Sequence, residues 1–332
     1  MADHQPRQVF VTGGSGYVGR NLIRRLRRER CVVTALARSE GAANQVAALG
    51  ATPARGDLLD GDSLRLGMQG CDTVFHAAAL VDEWGPRQDF RRINVDGTAA
   101  VLAAARDSGV GCFVHVGTEA VFADGRSSLA ELDESRPLPT APLPRYPATK
   151  AAAEALVREA NGKSFRCVVL RPRLIWGNDD TSVLPKLIEA VQSGRFVWAD
   201  HGRALTSTTH VENVCEGLWL AACRGRGGEA YFVSDGEPVP YRDFFPPLLA
   251  TAGVTMPRKS VPLALASAYA STMEALWERL PLRGAPPATR LMVELGAKPV
   301  TLSHAKATQE LGYAPQLSRA EGLARLGACG AG

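Results

Sequence analysis

"VFVTGGSGYVGRNLIRRL", residues 9–26, runs from an apolar stretch through a burst of glycines into a pattern with helical spacing. "QVFVT" (8–12) reads as a buried strand, and 17–29 reads as a helix. Gly13, Gly16 and Gly19 fit G-x-x-G-x-x-G, and Gly14, Gly16 and Gly19 fit G-x-G-x-x-G. A glycine cluster between strand and helix has a physical meaning that an isolated one lacks. Early glycines allow a tight turn and close backbone approach to a pyrophosphate, and the last allows close helix-to-strand packing. The helix N-terminus adds free N–H groups and a partial positive charge.

The alternation continues along the chain. "CVVTAL" (31–36), "DTVFHAAAL" (72–80), "CFVHVG" (112–117) and "RCVVLR" (166–171) read as further strands. Helical patterns at 41–49, 94–108 and 147–160 lie between them. Strands alternating with helices predict an α/β fold: a Rossmann-type doubly wound parallel sheet whose ligands bind at the carboxyl ends of the strands. After about residue 175 the rhythm breaks and prolines cluster at 238–262 and 281–299. This predicts a dinucleotide-binding domain over 1–175 and a smaller C-terminal substrate lobe over 176–332, with some segments returning to the first domain. "EAYFVSD" (229–235) reads as a small strand of that lobe.

The bulk properties exclude several classes. The chain has 332 residues, 45% of them apolar, enough for a sizeable core. The net charge is +4, and "RNLIRRLRRER" (20–30) holds much of the basic surplus. One basic helix face without basic clusters interleaved with aromatics elsewhere argues against nucleic-acid binding. Seven cysteines with no C-x-x-C pair indicate neither a metal site nor a disulfide framework. "MADHQPRQ" does not read as a signal peptide, and the longest uncharged stretch, 260–273, is too short to span a bilayer. The expectation is a soluble, cytoplasmic enzyme. The stretch 260–280 is expected to cover a pocket mouth or join the core; contact with a membrane surface is the third option.

Residue chemistry suggests what such a sheet would hold. The second strand ends "TALARSE", with Ala37 where an acid would bond an adenosine 2′-hydroxyl. Arg38 and Ser39 follow, and a guanidinium suits a 2′-phosphate, which favours NADP(H) with NAD(H) as the alternative. Asp57, in "GDLLD" (56–60) after the third strand, is placed to bond the adenine amino group. In "RYPATK", Tyr146 and Lys150 are four residues apart, on one helix face, with Pro147 in the first turn. An ammonium beside a phenol favours the phenolate, which would make Tyr146 an acid or base for carbonyl–alcohol exchange. Thr118 follows the strand in "FVHVGTEAVF", on the rim that carries the glycine loop, where its hydroxyl would meet the substrate oxygen.

With these motifs the chain resembles the extended short-chain dehydrogenase/reductase superfamily over nearly its whole length. "TGGSGYVG", "GDLLD", "FHAAA", "NVDGT", "GTEAVF", "YPATK" and "LRPRLIWG" carry the resemblance. Within the superfamily it looks most like the 3β-hydroxysteroid dehydrogenase group, through "LRPRLIWG", "TSTTHVENVCEGLWLA", "GGEAYFVSDGEPVPYRDFF" and "ELGYAP". The resemblance implies a Thr118–Tyr146–Lys150 triad with Asn94 in a proton relay, and Lys150 on the nicotinamide ribose. It implies cofactor contacts at Gly13, Gly16, Tyr17, Val18, Gly19, Leu58, Ala77, Ala78, Ala79, Tyr146 and Pro172. It implies a small-molecule ketone or alcohol as substrate, and two-fold homodimers are common in the superfamily.

Trp84, in the loop 81–90, and Trp176 are candidate walls for a flat apolar substrate, with Arg173 a further candidate. Three departures stand out. The usual Ser/Thr pair is Gly117–Thr118, followed by Glu119; no acid follows the second strand; no spanning helix is evident. Two other readings remain: a nucleotide-sugar epimerase or dehydratase that retains NAD, and a non-catalytic dinucleotide-sensing protein.

Overall fold

The computed structural model describes residues 4–82, 84–140, 143–280 and 282–329. Its centre is a seven-stranded sheet of β1 (Gln8–Thr12), β2 (Val32–Ala37), β3 (Thr52–Arg55), β4 (Thr73–His76), β5 (Cys112–Val116), β6 (Arg166–Pro172) and β7 (Ala230–Val233). The order across the sheet is β3-β2-β1-β4-β5-β6-β7, and every neighbouring pair is parallel. Among the helices that flank it are α1 (Tyr17–Arg28), α2 (Glu40–Ala48), α3 (Gly61–Gly67), α4 (Gly97–Asp107), α5 (Arg145–Glu159) and α6 (Val211–Arg224).

The side-chain alternation of β1 explains the two covered faces. Val9 and Val11 join Leu22, Ile23 and Leu26 of α1 and Val214 and Leu218 of α6 in one core. Phe10, between them, joins Leu64 of α3 and Val101 and Leu102 of α4 in the other. The sheet therefore has a Rossmann-like doubly wound form, with β1 and β4 side by side although two strands separate them in sequence. Their carboxyl ends form the switch point where such sheets bind ligands.

Most sequence-read elements lie within a residue or two of their observed positions. Three differences are instructive. The strand expected at 72–80 ends at His76, and 77–80 leaves the sheet as extended chain above the switch point. The helix expected at 94–108 opens as a π-helical turn over Arg91–Asp96 before α4 begins. The strand read in 229–235 is not part of the smaller lobe: Ala230–Val233 is β7, pairing in register with Val169–Pro172 of β6. All four of its residues are buried, the mark of an interior strand, and α6 packs on the main sheet to bring it back.

The smaller lobe contains a four-stranded sheet in the order 239–240, 205–206, 300–302, 129–132. The last of these strands, Leu129–Leu132, comes from the first half of the chain, directly after the β5 rim. Helices over 183–192, 241–250, 263–279 and 290–297 complete this side of the cleft.

Candidate active site

The loop between β1 and α1 is built by close approach. Gly13 has a φ of +70°, and a Cβ there would lie 2.7 Å from the Ala78 nitrogen. A Cβ on Gly19 would fall inside the carbonyl oxygen of Gly13. Only glycine allows both contacts. The Gly16 N–H donates to Gly13 O at 2.9 Å, and Gly16 heads α1 with no side-chain cap. The first-turn N–H groups of α1, at Tyr17 and Val18, thus have no intrahelical acceptor. The Tyr17 side chain itself points into the core, and its hydroxyl has no partner among the described residues. Ala77 and Ala78 face this loop from the end of β4, their N–H groups bonded to Thr12 at 3.3 Å each, and Ala79 follows them in the extended chain.

Arg38 is exposed at the end of β2. Ser39 caps α2, its hydroxyl accepting from Ala42 N at 3.2 Å. Asp57 accepts from Leu59 N at 3.1 Å, and the neighbouring Leu58 packs on the α4 side of the core. Pro172 is buried at the end of β6.

Tyr146 lies in the first turn of α5, with Lys150 one turn later. Burial is the main influence on the phenol and pushes its pKa upward; the Glu119 carboxylate adds to this, and a hydrogen bond with Thr118 opposes it. The Lys150 ammonium is pushed down to about 8 by burial, with Glu154 opposing. Its Nζ donates to Val116 O at 2.7 Å and lies 3.2 Å from His115 Nε2. The sequence suggested that this ammonium governs the phenol. In the structure it points instead to the strand behind, and burial and Glu119 dominate at Tyr146.

Thr118 donates its proton to Glu119 Oε2 at 2.9 Å and accepts from Ala120 N at 3.2 Å. Glu119 Oε1 forms a buried ion pair with Arg173 Nη1. Arg173 also bonds Thr206 Oγ1 at 3.1 Å, Tyr241 Oη at 2.6 Å and Leu295 O at 2.7 Å. These bonds remove Arg173 from the candidate substrate contacts: all its nitrogens are committed to the protein. The same set ties the turn after β5 to the smaller lobe.

Asn94 is buried in the π-helical turn. Its Oδ1 accepts from Leu80 N at 2.7 Å, and its Nδ2 donates to Leu80 O and Thr149 Oγ1 at 3.0 Å each. It anchors the strand exit of β4 to α5. Trp176 is likewise core rather than a pocket wall. It is fully buried, edge-on to His210 and Phe244, with Nε1 bonded to Asp235 at 2.7 Å.

Trp84 does border open space; Glu83 of its loop lies outside the described residues. The Arg145 guanidinium lies 4.0 Å over the Trp84 ring and bonds Gly85 O at 2.7 Å. A cavity of about 530 Å³ opens beside them, lined also by Arg87, Trp277 and Glu278. Arg145, which immediately precedes Tyr146 in the first turn of α5, is one of its lining residues. Sequence reasoning missed the Glu119–Arg173 pair, His115 and Trp277. A glutamate directly after the rim threonine was the only sign of the first, and its partner lies 54 residues away.

The family model described as "3-beta hydroxysteroid dehydrogenase/isomerase family" matches residues 10–265. The chain belongs to that family. It is an NAD(P)-binding oxidoreductase acting on CH–OH groups, within the extended short-chain dehydrogenase/reductase superfamily. A curated relative from Stigmatella aurantiaca is 52% identical, covering 96% of this chain and 95% of its own length. It is named 4-hydroxy-2-methyl-3-oxo-4-farnesyl-3,4-dihydroquinoline-1-oxide ketoreductase. A 2-alkyl-3-oxoalkanoate reductase from Stenotrophomonas maltophilia is 36% identical, covering 98% and 99%. Among solved structures, the dTDP-glucose 4,6-dehydratase DesIV of Streptomyces venezuelae, with NAD bound, superposes with a TM-score of 0.74. It covers 97% of this chain and 96% of its own at 24% identity, a likeness of fold. Among the described residues no helix of this family member is long and apolar enough to cross a membrane.

Replacing Arg173 by leucine in this 3β-hydroxysteroid dehydrogenase family member would leave Glu119 buried and unpaired. Stability should fall by about 3–5 kcal/mol, measured from the urea unfolding midpoint. A loss below about 1 kcal/mol would show that the pair does not hold the rim to the smaller lobe.

Proposed function

We propose that this chain is an NADP(H)-dependent oxidoreductase interconverting a ketone and a secondary alcohol on a bulky, apolar, ring-bearing or β-keto substrate. The observation that carries the reading is the packing of α5 on the turn after β5: Thr118 heads that turn, Tyr146 lies against the cluster of Val121 and Phe122, and Lys150 donates to the Val116 carbonyl. In this reading residues 1–175 hold the cofactor, and most of 176–332 closes over the substrate.

The residues at the switch point fit a dinucleotide. Two glycines clear the space that Cβ atoms would fill, and the uncapped start of α1 offers N–H groups to a pyrophosphate. Gly13, Gly16, Tyr17, Val18 and Gly19 would hold it through their backbone. Ala77–Ala79 and Pro172 would flank the nicotinamide side, and Asp57 and Leu58 the adenine side. Exposed Arg38, with Ser39 beside it, suits a 2′-phosphate and weighs against the retained NAD of a nucleotide-sugar enzyme.

When bound, the nicotinamide supplies or takes up the hydride. Tyr146 manages the proton: in reduction its hydroxyl donates to the oxygen that becomes the alcohol, and in oxidation its phenolate accepts from it. Burial and Glu119 keep the phenol protonated in the free protein, which suits the acid role. Thr118 stands at the same oxygen; turning its proton from Glu119 to the substrate would add a second hydrogen bond. Lys150 supplies positive charge one turn from the phenol and would bond the ribose.

Trp84 and Trp277 would give the apolar body an aromatic wall, in a cavity whose lining also includes the charged Arg87, Arg145 and Glu278. The two curated relatives support this body by their printed names: one substrate is a farnesylated quinoline oxide, the other a 2-alkyl-3-oxoalkanoate. A homodimer and a cytoplasmic setting belong to the same reading.

Tyr146→Phe should bind NADPH as the parent protein does and lose turnover by about 10²–10⁴-fold in a panel of steroid, β-keto and aromatic ketones followed at the nicotinamide absorbance. Unchanged turnover would refute the assignment. Arg38→Ala should weaken NADPH binding about tenfold by titration and leave NADH binding within about twofold, as loss of one charge-assisted contact requires. Equal effects on the two cofactors would remove the 2′-phosphate role.

A further inference from the structure

Behind the rim lies a line of buried polar side chains that the proton step above does not use. Lys150 reaches from α5 toward β5, between the Val116 carbonyl and the His115 ring. His115 is buried within the strand, and its Nδ1 has no partner among the described residues. His76, on the adjacent strand β4, lies with its ring centre 5.3 Å from that of His115. Its own nitrogens are occupied, Nδ1 at 2.7 Å from Thr12 Oγ1 and Nε2 at 2.9 Å from Thr98 Oγ1. The Thr98 proton goes to Asn94 O at 2.6 Å, so Thr98 accepts from His76 Nε2–H. His76 is thereby a neutral ring with both bonds made, and it leaves His115 to Lys150 alone.

An ammonium has only donors, so a charged Lys150 requires His115 Nε2 to accept. The imidazole proton must then sit on Nδ1, where it finds nothing. A buried donor left unbonded is costly, and the other tautomer would be as available were Nε2 idle. The bond to Lys150 offsets that cost. We propose that His115 is a positioning residue for Lys150: as a neutral imidazole protonated at Nδ1, it accepts from the ammonium and, with the Val116 carbonyl, holds it charged behind the rim. The inference rests on the working role given to Lys150 above.

The surrounding charges agree. Glu154, one turn further along α5, favours the ammonium but is itself bound by Arg171 from β6, Nε to Oε2 at 3.0 Å. Tyr146 precedes Lys150 by one turn, and Glu119 acts on that phenol. Burial, then the Lys150 charge, holds both histidines neutral: His76 down to about 3, and His115 well below its ordinary value, with His76 adding to the effect. With Lys150 at about 8, loss of an acceptor moves its titration to still lower pH.

Two measurements on the full chain without cofactor test this. In ¹⁵N spectra of histidine-labelled protein, His115 should be neutral and protonated at Nδ1 from about pH 6 to about pH 8, below the full loss of the Lys150 charge. An Nε2–H tautomer or an imidazolium there overturns the proposal, and this readout needs no variant. The rate of Lys150 acetylation by acetic anhydride, followed by mass spectrometry against pH, should have its midpoint moved down in His115→Leu. The expected shift is about one pH unit, a tenfold change in the ionisation constant. His115→Gln, whose amide oxygen accepts, should stay near the parent value. An unmoved midpoint in His115→Leu, or an equal shift in both variants, contradicts it. Neither readout depends on turnover, so failure of the ketone reading and failure of this one are separable.

Discussion

The Gly13 carbonyl occupies the position that any side chain at residue 19 would need. That contact folds the β1–α1 loop tightly onto itself and brings α1 down against the sheet. Gly13 in turn touches the backbone at Ala78, so the same turn fixes the exit of β4. The carboxyl ends of β1 and β4 are thereby set side by side at the switch point, with the start of α1 uncapped between them. The geometry of the switch point follows from this close packing.

A second constraint links the two parts of the fold. Arg173, just past β6, is bonded to Glu119 on the rim and to Tyr241, Leu295 and Thr206 of the smaller lobe. A fully buried guanidinium with every nitrogen engaged is a rigid joint. It orients the turn that carries Thr118 relative to the elements that close over the cleft. The carboxylate in that joint also acts on Tyr146, so packing between the lobes and the acidity of the phenol are coupled.

The sequence revealed the parts of this arrangement that depend on local pattern. Strands such as Val9–Val11 and Val168–Leu170 are buried on both faces and read as unbroken apolar runs. The glycine spacing, the four-residue step from Tyr146 to Lys150 and the place of Thr118 after β5 are likewise short-range features. What was hidden depends on partners distant in sequence. Edge strand β3, "TPAR", is largely exposed and has no apolar run. The placement of β7 in the main sheet follows from the docking of α6. Arg173 and Trp176 sit beside Pro172 in sequence, yet Glu119 and Asp235 draw them into the interior. Lys150 turns to His115 on β5, across 35 residues of chain.

The proposed role of the rim is to direct net hydride transfer between a nicotinamide and a carbonyl carbon. It is tested by incubation with NADPH carrying deuterium at both C4 positions and a cyclic 3-oxo or 2-alkyl-3-oxo substrate, followed by mass spectrometry of the product. The expected product is an alcohol with one deuterium on the carbinol carbon, with matching NADP⁺ in solution. A product with no deuterium there, or turnover that leaves the cofactor bound and unchanged, would contradict it.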